Sequence, residues 1–335
     1  MALQNRTESV SFDVIGIGNA IVDIITNVDE TFLNKHSLKK GSMILINEEQ
    51  ARHFYSLINN SLQSSGGSAA NTLSGIAKLK GRAGFLGRVR NDELGDIFIE
   101  DIRSTGAIFN TPPAKEGPST ARCIVFVTPD AQRTMCTYLG ASVLIEPKDL
   151  DLSIVKQSKV LYLEGYLWDN DAAKRTFINA AEISKQANRE VALSLSDSFC
   201  VDRHRKSFKE LIESYVDILF ANEDEIKSLY QTDNLDQAIT NLEGKCKVAI
   251  ITLGAKGSII IEAKNKINIQ PYKLGPVVDT TGAGDLYAGG FLYGYTRGNP
   301  LKKCGEIGSI CAAHIVTKIG SRSNLPLTEL IKKIN

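Results

Sequence analysis

Residues 277–295 run V-V-D-T-T-G-A-G-D-L-Y-A-G-G-F-L-Y-G-Y, and the rest of the chain is read outward from them. Two β-branched residues carry an extended backbone to Asp279, the small residues Gly282, Ala283 and Gly284 turn it, and a helix follows with Asp285 in its first turn. A helix start has backbone N–H groups with no partner inside the helix. Glycines lacking Cβ allow a ligand close to them, which makes such a turn a cradle for a phosphate or for charge developing on one. A carboxylate in the same cradle repels a resting anion. That conflict disappears if the phosphoryl group arrives with its own cation and Asp285 takes the proton of an incoming hydroxyl as the bond to phosphorus forms. The plainer account is a turn whose acidic residue is favoured by the helix dipole. Gly289 and Gly290 inside the helix cost about 1 kcal/mol each against alanine, so another element should press closely there.

Around this stretch the chain alternates. Apolar, β-branched runs at 12–18, 159–164, 190–195, 216–221, 247–253 and 257–263 predict strands. Apolar residues three and four apart predict helices over 68–79, 93–105, 172–187, 223–230, 235–244, 283–297 and 301–318. Strands alternating with helices argue for an α/β fold, a mostly parallel central sheet covered on both faces, with ligands at the carboxyl ends of the strands. The rhythm breaks at 23–47 and 107–138, where the pattern is strand without helix. The pieces R-C-I-V-F-V-T and R-T-M-C-T-Y around P-D-A-Q predict a hairpin. These segments form either a small sheet standing off the body as a lid or an edge extension of the main sheet. Repeats, low-complexity tracts and Pro-rich linkers are absent, so one domain over 1–335 is expected.

Four further segments carry polar groups at strand ends. S-S-G-G-S-A-A-N at 64–71 is a glycine turn entering a helix, suited to hydroxyl recognition or serving as an ordinary N-cap. N-E-D-E at 222–225 is a capping box between Asn222 and Glu225, or a carboxylate site for hydrated Mg²⁺. T-L-G-A-K-G-S at 252–258 fits a simple turn between two strands. I-G-I-G-N-A-I-V-D at 15–23 begins like a dinucleotide fingerprint but has Ile21 at the third glycine, and no P-loop string occurs. Asn19 and Asp23 there suit hydroxyl binding.

Composition removes several classes of function. Thirty-nine basic against 38 acidic residues leave a net charge of +1, so no overall field draws nucleic acid or an anionic membrane. No apolar run approaches the roughly 20 residues of a membrane span, and the first eleven residues lack the apolar core of a secretory signal, which leaves the cytoplasm as the expected compartment. The six cysteines show no metal spacing, and Cys304 and Cys311 fall on one apolar helical face.

Taken in order, these segments resemble the ribokinase/PfkB family of carbohydrate and nucleoside kinases over nearly the whole chain. D-T-T-G-A-G-D followed by A-G-G-F is similar to the family's C-terminal signature, and G-G-S-A-A-N through G-R-V-R-N-D-E-L-G at 87–95 is similar to its N-terminal one. The resemblance implies a ribokinase-like three-layer αβα sandwich with a small β lid, and transfer of the ATP γ-phosphate to a hydroxymethyl group. By the same resemblance Asp285 is the base, and Gly282, Ala283 and Gly284 form the anion hole. Thr252, Gly254, Gly257 and Thr280 lie on the nucleotide side, with Asn222 and Glu225 organising Mg²⁺. Asn19, Asp23, Gly67, Ser68 and Asn71 hold the acceptor. Asp279, Thr281, Ile315, Lys318, Gly320 and Asn324 would supply oxygens to a monovalent cation such as K⁺.

The openings at 16–24 and 194–199 look more like adenosine kinases than ribokinases, which implies a nucleoside acceptor, most simply adenosine giving AMP. Met43, Ile44, Tyr166 and Trp168 are available as apolar walls for a base. Arg133 could reach the acceptor or a phosphate, and Glu164 and Asp197 could face the cleft. The alternatives are a sugar kinase acting on ribose, fructose or 2-keto-3-deoxygluconate, and a non-catalytic nucleoside- or sugar-binding protein. The expected partners are the small-molecule acceptor and ATP, with no nucleic acid or membrane, in a monomer or homodimer.

Overall fold

The computed structural model describes residues 10–130, 132–323, 325–332 and 334. Its strands are β1 (Phe12–Ile17), β2 (Ile21–Asn27), β3 (Met43–Leu45), β4 (Leu62–Gly66), β5 (Ala83–Leu86), β6 (Ala121–Val127), β7 (Arg133–Tyr138), β8 (Ser158–Glu164), β9 (Glu190–Ser194), β10 (Ile218–Asn222), β11 (Val248–Thr252), β12 (Ser258–Glu262) and β13 (Asn265–Ile269). The helices are α1 (Glu30–Lys35), α2 (Glu48–Ser56), α3 (Ser68–Lys78), α4 (Glu93–Ser104), α5 (Asp171–Gln186), α6 (Ser198–Tyr215), α7 (Glu223–Tyr230), α8 (Leu235–Leu242), α9 (Ala283–Tyr295), α10 (Leu301–Ile315) and α11 (Thr328–Ile331).

Eight strands form the main sheet in the order β13-β12-β11-β10-β9-β8-β1-β5. The run from β11 to β5 is parallel, and β12 and β13 add an antiparallel edge. Alternation along β1 explains the layering. Val14 packs into the core that holds Leu73, Ile76 and Phe291 of α3 and α9, whereas Ile15 and Ile17 enter the opposite core with Phe177, Phe208 and Ile239 of α5, α6 and α8. The expected three-layer α/β sandwich is therefore present.

A second sheet in the order β3-β7-β6-β2-β4 stands beside the first. The expected hairpin is β6–β7, paired Arg122 with Tyr138 through Val127 with Arg133. The 23–47 segment is not helix-free as expected. Asp29 accepts a hydrogen bond from the amide of Phe32 and starts α1 there. The S-S-G expected in a turn belongs instead to β4, which pairs antiparallel with β2. Strands β5 and β13 and helices α2 and α6 were not marked by sequence pattern.

Helices α10 and α11 start at Pro300 and Leu327 without a side-chain cap, and the other helix starts separate into two kinds. Helices α1, α2 and α4 to α8 begin at an Asp or Asn whose side chain accepts a first-turn amide. Helices α3 and α9 are entered through Gly67 and Gly282 with no such cap, so first-turn donors stay open to other groups. Both lie at the carboxyl end of the parallel strands. Strand β1 is the point where chain order reverses, with β5 on one side and β8 on the other, the position at which open α/β sheets bind ligands. No helix among the described residues is long and apolar enough to cross a membrane.

Candidate active site

The turn ahead of α9 is fixed by its backbone. Gly282 sits at φ +76°, and a Cβ there would lie 2.8 Å from that of Ser321, so glycine is required on both counts. Of the amides at 282–285, only that of Ala283 is spent inside the turn among the described residues, on the carbonyl of Thr280 at 3.2 Å. The amides of Gly282, Gly284 and Asp285 therefore have no backbone acceptor among the described residues, and Gly282 and Gly284 belong to the expected set.

Asp285, in the first turn of α9, is half-buried. Ser68 Oγ donates to its Oδ1 at 2.6 Å and Asn71 Nδ2 to its Oδ2 at 2.9 Å, both from α3. Burial pushes the carboxyl up from its ordinary value, against those two hydrogen bonds and the charge of Arg322. The two helices meet closely because a Cβ on Gly289 would lie 2.8 Å from the carbonyl oxygen of Thr72, and one on Gly290 2.7 Å from that of Ile307 on α10. Those are the pressing elements that the glycine pair required.

The second sheet faces this turn. Asp23 on β2 has its carboxylate over Gly66, and burial pushes its pKa up to about 6, with the charges of Arg322 and Arg133 opposing. Arg133 on β7 reaches across, its guanidinium 2.6 Å from Asp279 and donating to Thr281 Oγ1 at 3.1 Å. Asp279 also accepts from the amides of Thr281 (3.0 Å) and Gly320 (2.7 Å). Several atoms of the expected cation set therefore already carry partners. The carboxylate charge is already neutralised by a guanidinium, Thr281 is occupied by the same group, and the carbonyl of Ile315 accepts from the amide of Lys318. Asn324 lies outside the described residues.

A cavity of about 570 Å³ is lined by Thr252, Gly254 and Gly257, the residues expected on the nucleotide side, and continues to Thr280, Ala283 and Gly284. More of its wall comes from 271–275 and Val277, from Ala312 and Ala313 of α10, and from Val316 just beyond that helix. The sequence reading missed this wall. Asn222 and Thr252 end adjacent strands in register. Asn222 forms a reciprocal capping box with Glu225, accepting the Glu225 amide at 2.8 Å while Glu225 accepts the Asn222 amide at 2.9 Å. Burial, together with the charges of Asp197, Asp224 and Asp285, pushes Glu225 up to about 7. Oxygen donors of this kind fit a hydrated Mg²⁺, which takes few protein ligands and keeps its waters. No group of three metal-ligating side chains exists among the described residues.

Other expected residues lie elsewhere. The Asn19 amide is buried, giving Nδ2 to Glu164 at 2.7 Å and accepting from Ser142 Oγ at 2.8 Å. Glu164 is buried as well and takes the Ala69 amide at 2.7 Å, so it serves as the anion at the start of α3; burial pushes it up to about 7. Trp168 is core, stacked with Phe208, and its indole N–H goes to Ser207. Asp197 caps α6. Asn71 Oδ1 receives Arg322 Nε at 2.8 Å, which leaves the second hydrogen of its Nδ2 as the donor available to an acceptor. Tyr166 is exposed; desolvation of its phenol, then the charges of Asp197, Asp285 and Glu225, push it up.

Comparison with known proteins gives a consistent result. The adenosine kinase of Sinorhizobium meliloti superposes with a TM-score of 0.89 at 46% identity, covering 96% of this chain and 99% of that one. A probable sugar kinase from Rhizobium etli superposes with a TM-score of 0.90 at 45% identity over 96% and 98%. The adenosine kinase of Saccharomyces cerevisiae is 24% identical over 92% of this chain and 95% of its own length. The model of the pfkB family carbohydrate kinases matches residues 55–328. The chain belongs to that family and is an ATP-dependent kinase.

Proposed function

We propose that this kinase phosphorylates the 5′-hydroxyl of a nucleoside, converting adenosine to AMP, with Asp285 as the base. The observation that supports it most is the Asp285 carboxylate at the open start of α9, held by Ser68 and Asn71 beside the cavity that runs from Thr252 to Gly284. In this reading Asp23 accepts the acceptor's sugar hydroxyls. The exposed apolar side chains of Met43, Ile44 and Tyr166 cover its base. The 5′-oxygen gives its proton to Asp285 and bonds to the γ-phosphorus, while the bond to the β-bridging oxygen breaks and its electron pair leaves with ADP. The amides of Gly282, Gly284 and Asp285 meet the charge gathering on the phosphoryl oxygens. Losing one such donor costs on the order of 10² to 10³ in rate. Arg133, held by Asp279 and Thr281, brings a positive charge from the second sheet to the edge of this turn. Mg²⁺, when bound, neutralises phosphate charge, and Glu225 with Asn222 would hold it through water.

The chain is read as one catalytic unit, the lid at 23–47 and 107–138 closing on the body, with β4 as part of that lid. A sugar acceptor is the second reading, because the Rhizobium etli neighbour is named a sugar kinase and Asp23 suits any vicinal diol. An ADP-release assay over adenosine, ribose, fructose and 2-keto-3-deoxygluconate separates the two. Turnover with a sugar and none with adenosine would retire the nucleoside assignment.

A further inference from the structure

We propose that Arg322 is a positioning residue for Asp285, acting through the side-chain amide of Asn71. The inference rests on the reading of Asp285 as base. Three contacts carry it. Arg322 Nε donates to Asn71 Oδ1 at 2.8 Å, Arg322 Nη1 donates to Ser74 Oγ one turn along α3, and Asn71 Nδ2 donates to Asp285 Oδ2 at 2.9 Å. An asparagine amide can rotate by half a turn at almost no steric cost, exchanging oxygen for nitrogen. A rotated Asn71 would present its carbonyl oxygen to the Asp285 carboxylate and repel it.

A guanidinium donates and never accepts. Arg322 therefore fixes which end of the amide faces it, and by doing so which end faces Asp285. Ser321 Oγ, 3.2 Å from the same oxygen, cannot enforce this because a hydroxyl donates or accepts. Burial lowers the guanidinium to about 10 while the charges of Asp101, Asp23 and Asp285 oppose the fall, so it still carries its proton at neutral pH. Arg322 reaches α3 only because the segment after α10 is tied back, with the Gly320 amide on Asp279 and Ser323 Oγ beside His314 Nε2 at 2.9 Å. No part of this chain of contacts needs Arg322 to touch a substrate.

The test is steady-state kinetics of R322M, R322K and N71A beside the double variant R322M/N71A, with acceptor binding measured by calorimetry and folding by thermal unfolding. R322M should lose roughly 10- to 100-fold in kcat, with KM for ATP and acceptor within about three-fold. R322K, still an obligate donor, should recover to within about five-fold of wild type. The double variant should be no worse than N71A by more than about two-fold, since both remove one relay. Wild-type kcat in R322M, a rise in acceptor KM with kcat intact, or losses that multiply in the double variant would each overturn the proposal. If R322M does not fold, R322Q replaces it with the same expected loss. D285N separates the two readings: an active D285N removes the base assignment itself, whereas an inactive D285N beside a fully active R322M removes only the relay.

Discussion

The guanidinium of Arg133 lies 2.6 Å from the carboxylate of Asp279, joining the β6–β7 hairpin of the second sheet to the turn that opens α9. Both side chains are largely withdrawn from water, at 14% and 6% exposure, so their pairing is not a loose surface contact. Replacing Arg133 by Met leaves the Asp279 charge with two backbone amides only. R133M should lose about 1 to 3 kcal/mol of stability in urea unfolding and fall at least about ten-fold in kcat/KM. Wild-type stability together with wild-type activity would remove the link between lid and turn.

Asp285→Asn keeps the shape of the side chain and removes its basicity. Turnover should fall on the order of 10² to 10⁴-fold, while acceptor binding by calorimetry stays within a few-fold. A D285N enzyme with the parent rate would end its role as proton acceptor.

Gly284 allows stability and activity to be separated. A Cβ there meets nothing within 4 Å, and the residue lies in the first turn of a helix bordering the nucleotide cavity. G284A should keep or gain about 0.5 to 1 kcal/mol, from the helix preference of alanine. It should nonetheless bind ATP more weakly, because the methyl group stands where phosphate approaches the amides. Loss of folding in G284A, or unchanged ATP affinity, would contradict the open-amide picture.

Glu164 and Glu225 make stability depend on pH in a defined direction. Both are held near 7 in the folded protein against an ordinary value of 4.5. Between those limits the folded state binds more protons than the unfolded chain, so their contribution is present below about pH 4.5 and is lost as pH rises through about 7. E164Q, which does not titrate, should flatten its share of that decline in a urea-unfolding series across this range. An identical slope in both proteins would count against the buried charge.

The alternating body was legible because its strands are continuous apolar runs and its helices keep strict spacing. The lid hairpin was legible because β6 and β7 flank an evident turn. Strand β4 was not, since L-Q-S-S-G has neither alternation nor β-branched residues, and it is a strand only because β2 offers it a partner. Helix α6 carries many charges and a non-helical residue at His204, which blur its period. The acidic and glycine positions around 279–285 announce themselves by type. The cavity wall at 271–277 does not, because an aperiodic segment acquires its meaning only when α10 lies beneath it. Asn19 and Asn71 were read as ligand-facing from residue type and from the family resemblance; what neither signals is that their amides also bond Glu164 and Arg322, residues far away in sequence.

Because Gly289 leaves no side chain between α9 and the carbonyl of Thr72, the two helices bearing Asp285 and its donors Ser68 and Asn71 share one rigid datum. The alignment of Asp285 with its two donors is thereby set by the direct packing of α9 on α3, while the second sheet meets the same turn separately, through the Arg133–Asp279 pair.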